Sequence, residues 1–150
     1  MRTIFSKLIF LPCLFGLIAC QKEIKNSKEL EKTEHDYEEI ENREIGWNDL
    51  FSIGIPQYFV YFYSPYCSHC KEIKDSIIEY ALQDERMYFV KFSDEVIVAP
   101  DVENTIGATS IEDVAILGTP SLIEITNHTV TTNLAGSKAI LNYLGIPSPN

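Results

Sequence analysis

Cys67 and Cys70 stand three positions apart in the stretch Tyr61-Phe62-Tyr63-Ser64-Pro65-Tyr66-Cys67-Ser68-His69-Cys70-Lys71. This placement constrains the chain more than any other feature. The run before them, Gln57 to Tyr63, is aromatic, β-branched and apolar on both faces, which predicts a central strand in a sheet covered on both sides. The run after them, Cys70 to Leu82, carries Ile73, Ile77, Ile78 and Ala81 as an apolar stripe at helical spacing. The first thiol therefore falls near a helix N-terminus, where free backbone N–H groups and the helix dipole stabilise a thiolate. Two thiols at this spacing can close a disulfide and open it again, so the pattern points to thiol–disulfide exchange.

The other two cysteines have different expected fates. Arg2 and Lys7 give a short basic start, and Leu8 to Ala19 is an uncharged, mostly apolar run. That run is too short to cross a ~30 Å bilayer as a helix and fits the core of an export signal. It contains Cys13 and ends in Leu17-Ile18-Ala19-Cys20, which resembles the lipobox of bacterial lipoproteins. There the cysteine is acylated and becomes the first residue of the mature chain; the competing reading is an ordinary secretory signal cut near Ala19. On the lipobox reading Cys13 leaves with the signal, Cys20 carries lipid, and only Cys67 and Cys70 remain. A bridge across two intervening residues closes almost no loop, so its use is chemical rather than as a staple. Cys67, His69 and Cys70 could together hold a soft metal, but a structural zinc site wants four ligands and no second Cys-x-x-Cys exists; no metal is expected. His35 is read in a linker and His128 in a turn.

Three segments follow: an export signal over 1–19, a charged tether or short helix over 20–44 after a lipidated Cys20, and a domain over 45–150. Asp and Glu total 22 against 12 Lys and Arg, a net charge of −10, and the signal takes away basic residues only. That balance argues against nucleic acid and against a polybasic membrane contact.

Beyond the cysteines, Met87 to Phe92 predicts a second strand, parallel to the first through a helical crossover. Ser110 to Val114 reads as a short helix capped by Ser110 or Thr109. Leu122 to Thr126 and Thr129 to Leu134 form a hairpin about Asn127-His128. Ser137 to Leu144 reads as a closing helix ended by Gly145 before Pro147. Strand, helix, strand, helix, hairpin and helix give an α/β domain with a small mixed sheet flanked by helices on both faces.

With Gly118-Thr119-Pro120 placed before a strand, this order resembles the thioredoxin superfamily over about Gln57 to Leu144. The resemblance implies a three-layer fold and a cis bond before Pro120, although a plain loop proline is the alternative. It implies that Cys67 attacks and Cys70 resolves, and that Thr119 and Pro120 pair with a substrate chain while Tyr66 offers an aromatic face. His69, if charged, would favour the Cys67 thiolate and make the pair an oxidant; otherwise it is an exposed helix residue. Lys91 looks like the family's buried lysine and would support proton transfer. Where the family carries a buried aspartate this chain has Tyr61. Residues 95–109 are longer than the corresponding stretch, either a loop near the substrate face or a remote decoration. More weakly, the chain resembles small secreted proteins described as bacteriocin-transport accessory proteins.

Two functions are thus expected. The first is a lipid-anchored oxidoreductase on the outer side of the cell membrane, acting on thiols or disulfides of exported proteins with a membrane redox partner, leaning slightly to oxidant. No cofactor is implied, because no glycine-rich nucleotide fingerprint is present. The second is a non-catalytic binding or accessory module with a structural disulfide.

Overall fold

Strand β1 (Gln57–Tyr63) lies inside a four-stranded sheet, and every residue after Gln57 is buried. Alternation divides its aromatic side chains between two cores. Phe59, Tyr61 and Tyr63 pack into one, and Tyr58, Val60 and Phe62 into the other. This chain is described here by a computed structural model over residues 34–149. The expected export signal, Cys13 and Cys20 lie outside the described residues.

Helix α1 (Ser68–Gln83) carries the chain to β2 (Met87–Lys91), which pairs parallel to β1 with Phe59 opposite Met87 and Tyr63 opposite Lys91. Strand β3 (Ser121–Thr126) lies antiparallel on the other side of β1, and β4 (Thr129–Ala135) pairs antiparallel with β3 at the edge, giving the order β2-β1-β3-β4. Asn127 and His128 make the two-residue hairpin turn with φ of 49° and 63°, the left-handed pair that matches strand twist. Helix α2 (Ser137–Leu144) closes the fold and is ended by Gly145 at φ 71°, a conformation that suits a residue without Cβ.

The chain adopts the three-layer arrangement about a mixed sheet expected from its motif order. Its two outer layers differ in kind. Both α1 and α2 lie on the Tyr61 face, where Ile73, Ile77 and Ile78 of α1 and Ile140 and Leu141 of α2 meet the sheet. The opposite face is covered by short 3-10 turns and irregular chain, through Trp47, Leu50, Val96, Val114 and Ile116. The expected helix over Ser110 to Val114 is a single 3-10 turn, Ile111–Asp113, with no side-chain cap at Ser110. The Ser110 hydroxyl bonds the Glu112 carboxylate instead.

Residues 95–109 belong to this second layer and are no remote decoration. Val98 bridges Ile116, just ahead of the Gly118-Thr119-Pro120 turn, and Gly107 and Ala108 bond the backbone of Val130 in β4. Thr105 is buried there, its hydroxyl bonding both the N–H and the carbonyl of Ala115.

The end of the tract before residue 45 takes the short-helix form and packs on the domain. Tyr37–Arg43 forms a 3-10 helix opened by a capping box, in which Asp36 N–H donates to the Glu39 carboxylate at 2.7 Å. Ile40 is fully buried in the α1 core. The Arg43 guanidinium bonds the carbonyls of Ala81 and Asp84 at the α1 C-terminus, where a cation meets the negative end of the helix dipole. Glu44 then makes a single parallel bridge to Phe89. His35, read as a linker residue, donates its N–H to Asp75 on α1. The apolar content of this tract is low, but Tyr37, Ile40 and Arg43 each meet the domain.

Candidate functional site

The buried end of β1 feeds the loop Ser64-Pro65-Tyr66, and the loop delivers Cys67 as the N-cap of α1. Its backbone is extended, with φ −77° and ψ 121°, and its Sγ accepts from the Cys70 N–H at 3.2 Å. A cap side chain satisfies one of the free N–H groups that every helix start leaves over. Here the capping atom is a sulfur, and a sulfur in that place is stabilised as an anion. The Cys67 N–H is held by the Ser64 carbonyl at 3.1 Å, so the loop is tied on both sides of the thiol. One helical turn on, Cys70 is fully buried in the core beneath. Both are free thiols.

Their acidities diverge. Burial raises the Cys67 thiol, but hydrogen bonds from the Cys70 thiol and the Cys70 N–H, then from Thr119 and the His69 N–H, outweigh it and hold Cys67 below the ordinary thiol value. Burial and the hydrogen bond to Cys67 push Cys70 up to about 11. A part-exposed, acidic thiol stands over a buried, basic one, which is the asymmetry that exchange requires.

The Thr119–Pro120 peptide is cis, and Gly118 before it has φ 138°, open only to glycine. The turn brings the Thr119 carbonyl to 3.3 Å from Cys67 Sγ, which donates to it as a thiol. Thr119 thus joins the cysteine pair in space. Pro120 is buried behind it at the start of β3, and Tyr66 stands 92% exposed at the rim, beside Cys67 in the chain.

Two expected roles change. The His69 ring is exposed, and its Nδ1 lies 3.5 Å from the Glu72 carboxylate. What His69 gives Cys67 is its backbone N–H. Its carbonyl accepts from the Ser137 hydroxyl at 3.0 Å, tying the α1 start to α2. Lys91, expected to be buried, is exposed at the end of β2 opposite Tyr63. It lines a cleft of about 1110 Å³ shared with Tyr37, Glu41, Glu44 and Glu95, and neither cysteine lines that cleft. A smaller cleft of about 740 Å³ runs past His69 and Glu72 to Ser137, Lys138 and Leu141. Among the described residues no group of three or more His, Cys, Asp or Glu is placed to hold a metal, and no helix is long and apolar enough to cross a membrane.

Tyr37 is the residue that sequence reading missed. It stacks on Tyr63 with ring centroids 3.9 Å apart and reaches the core below the cysteines. Burial first, then Cys70, Tyr63 and Cys67, raise its phenol. The signal for it was Asp36-Tyr37-Glu38-Glu39, a capping-box spacing inside the charged tract.

No protein-family model matches the chain, and no curated protein matches it either. Among solved structures it is similar to Plasmodium falciparum thioredoxin, at 16% identity over 69% of this chain and 96% of that one, with a TM-score of 0.45. Spinach chloroplast thioredoxin f, in its short form, gives 16% identity over 68% and 88%, with a TM-score of 0.46. Mitochondrial thioredoxin 3 of Saccharomyces cerevisiae gives 11% over 69% and 91%, with a TM-score of 0.43. Likeness at this level says nothing about what the chain acts on.

Proposed function

We propose that the protein is a thiol–disulfide oxidoreductase that acts on cysteines of exported proteins through Cys67 and Cys70. The observation that carries this reading is the split between the two thiols: Cys67 is part-exposed, caps α1 and has a lowered pKa, whereas Cys70 is fully buried with its pKa at about 11. In the oxidising direction a substrate thiolate attacks Cys67 Sγ. The Cys67–Cys70 bond breaks, and Cys70 leaves with the bonding pair. The second substrate thiolate then attacks its partner in the mixed disulfide and displaces Cys67 as a thiolate. The substrate gains a disulfide, the pair gains two electrons, and the two protons shed by the substrate thiols balance those the cysteines take up. The helix cap that stabilises the Cys67 anion favours the dithiol form, which supports the lean to oxidant. The exposed His69 ring, paired with Glu72, lends that lean little.

Anchoring is part of the same proposal. A lipidated Cys20 would hold the domain on the outer face of the membrane, near exported substrates and a membrane redox partner.

Trapping tests the function. Cys70→Ser should accumulate mixed disulfides with exported proteins, and Cys67→Ser should trap none. Equal trapping by both, or none together with no turnover of a disulfide substrate, refutes it and favours the binding-module reading. A redox titration of the wild-type pair then gives the direction of flow.

A further inference from the structure

Tyr61 lies at the centre of β1 on the face turned toward α1. It is fully buried, and its hydroxyl has no ordinary hydrogen-bond partner. Across the sheet it faces Phe89 on β2 and Leu122 on β3, whose side chains neither donate nor accept. From α2 the same core receives Ile140 and Leu141, also apolar. A buried polar atom without a partner is uncommon in a folded protein and destabilises it. Phenylalanine would fill the same space without that cost, so the hydroxyl calls for a reason.

The titratable groups near it supply one. Cys70 of α1 is fully buried in the same core cluster. After burial itself, the groups acting on the Tyr61 phenol are Tyr37, Cys70 and Cys67, and Cys70 also acts on it as a hydrogen-bonding neighbour. Tyr37 enters from the N-terminal 3-10 helix, and its hydroxyl too lacks a partner. Tyr63, next on this face of β1, turns its hydroxyl away to the Glu44 carboxylate at 2.9 Å. Cys70 itself meets Cys67, the Ser64 backbone and Thr119.

We propose that the Tyr61 hydroxyl is a built-in hydrogen-bond donor for the Cys70 sulfur in its anionic form. The consequence for turnover rests on the exchange reading above. When the Cys67–Cys70 bond breaks, Cys70 takes the bonding pair and becomes a buried thiolate. The Tyr61 O–H turns to it. Burial raises the phenol pKa, so the group stays protonated and donates without giving up its proton. The proton that later neutralises Cys70 comes from a substrate thiol, and Tyr61 ends the cycle as it began. When the bond re-forms, the same contact raises the fraction of Cys70 that is ready to attack.

The test separates this donor from simple burial. In the full chain carrying Cys67→Ser, the alkylation of Cys70 by iodoacetamide is followed against pH with site-resolved mass spectrometry. Tyr61→Phe should raise the Cys70 pKa by about one unit, leaving roughly tenfold less thiolate at any pH well below it. Tyr37→Phe removes a second unpartnered hydroxyl from the same pocket and should move the Cys70 pKa by less than half as much. An unchanged pKa in Tyr61→Phe, or equal shifts in both variants, overturns the proposal. Opening of the Cys67–Cys70 disulfide by dithiothreitol in the otherwise wild-type chain should slow several-fold in Tyr61→Phe. A disulfide that dithiothreitol does not open in either chain refutes the exchange reading alone, and the pKa comparison still decides the role of Tyr61.

Discussion

Removing the thiol of Cys70 should make Cys67 less acidic, and the size of the change follows from the hydrogen bonds at the helix cap. Cys67 Sγ accepts from the Cys70 N–H at 3.2 Å, and the Cys70 thiol is a further donor to it. Cys70→Ala deletes the thiol and keeps the backbone N–H. A hydrogen bond to a charged group contributes about 1.5–3 kcal/mol, and the low end applies to a part-exposed sulfur. One pKa unit corresponds to about 1.4 kcal/mol, so the Cys67 pKa should rise by about one unit. At a pH well below that value the thiolate fraction then falls about tenfold. The more basic thiolate is intrinsically about threefold more nucleophilic, so alkylation should slow about threefold. Cys70→Ser retains a hydroxyl donor at the same place and should leave the Cys67 pKa within a few tenths of a unit. The assay is the pH dependence of iodoacetamide alkylation, read site by site so that Cys13 and Cys20 do not contribute. Wild-type values in both variants would mean that the backbone cap alone sets the acidity. Equal rises in both would mean that the gap left by sulfur matters rather than the donor. Either result refutes the reasoning.

Three further outcomes are expected. His69→Ala should move the Cys67 pKa by no more than a few tenths of a unit, because an exposed ring paired with Glu72 is screened by solvent; a shift of a full unit in alkylation profiles would restore the charged-imidazole account. Glu124, largely buried in β3, accepts from Gln57 at 2.6 Å and from Tyr143 of α2 at 2.5 Å; burial raises its pKa, but these bonds outweigh that and lower it. Its stabilising contribution is therefore complete above the unfolded carboxyl value of 4.5 and is lost as pH falls through the folded value. Glu124→Ala should cost about 2–3 kcal/mol at neutral pH and less in acid, and melting curves that stay parallel at all pH would contradict this. Mass spectrometry of the native N-terminus should show a lipid on Cys20 and no residues 1–19, and a secreted form with an unmodified Cys20 would remove the anchor from the proposal.

Much of this fold is local, and local physics is legible in a sequence. The two-faced aromatic run of β1 and the Ile73, Ile77, Ile78, Ala81 stripe of α1 needed only periodicity, and all of these residues are buried. The hairpin at Asn127-His128 and the span of α2 with its Gly145 stop follow from turn and cap chemistry that acts within a few residues. The placement of Cys67 at a helix start belongs to the same class. The outward turn of His69 does too, in retrospect: at ~3.6 residues per turn, two residues past Cys67 is about 200° around the helix, whereas Cys70 returns to nearly the same side.

Tertiary structure decided what depends on long-range packing. Lys91 follows strand residues that read as core, yet it ends β2 exposed and its side chain borders a cleft. The charged tract before residue 45 joins the domain because Ile40 and Arg43 meet α1, a contact that no local pattern encodes. The layer over 95–116 holds its shape through bridges to Ile116 and Val130 rather than through any helix of its own. Above all, the neighbourhood of Cys70 is assembled from three places in the chain, with Tyr37, Tyr61 and Cys70 drawn together by the burial of one shared core. A strand pattern shows that Tyr61 is inside; only the packing of α1 across β1 shows that it shares its core with a thiol.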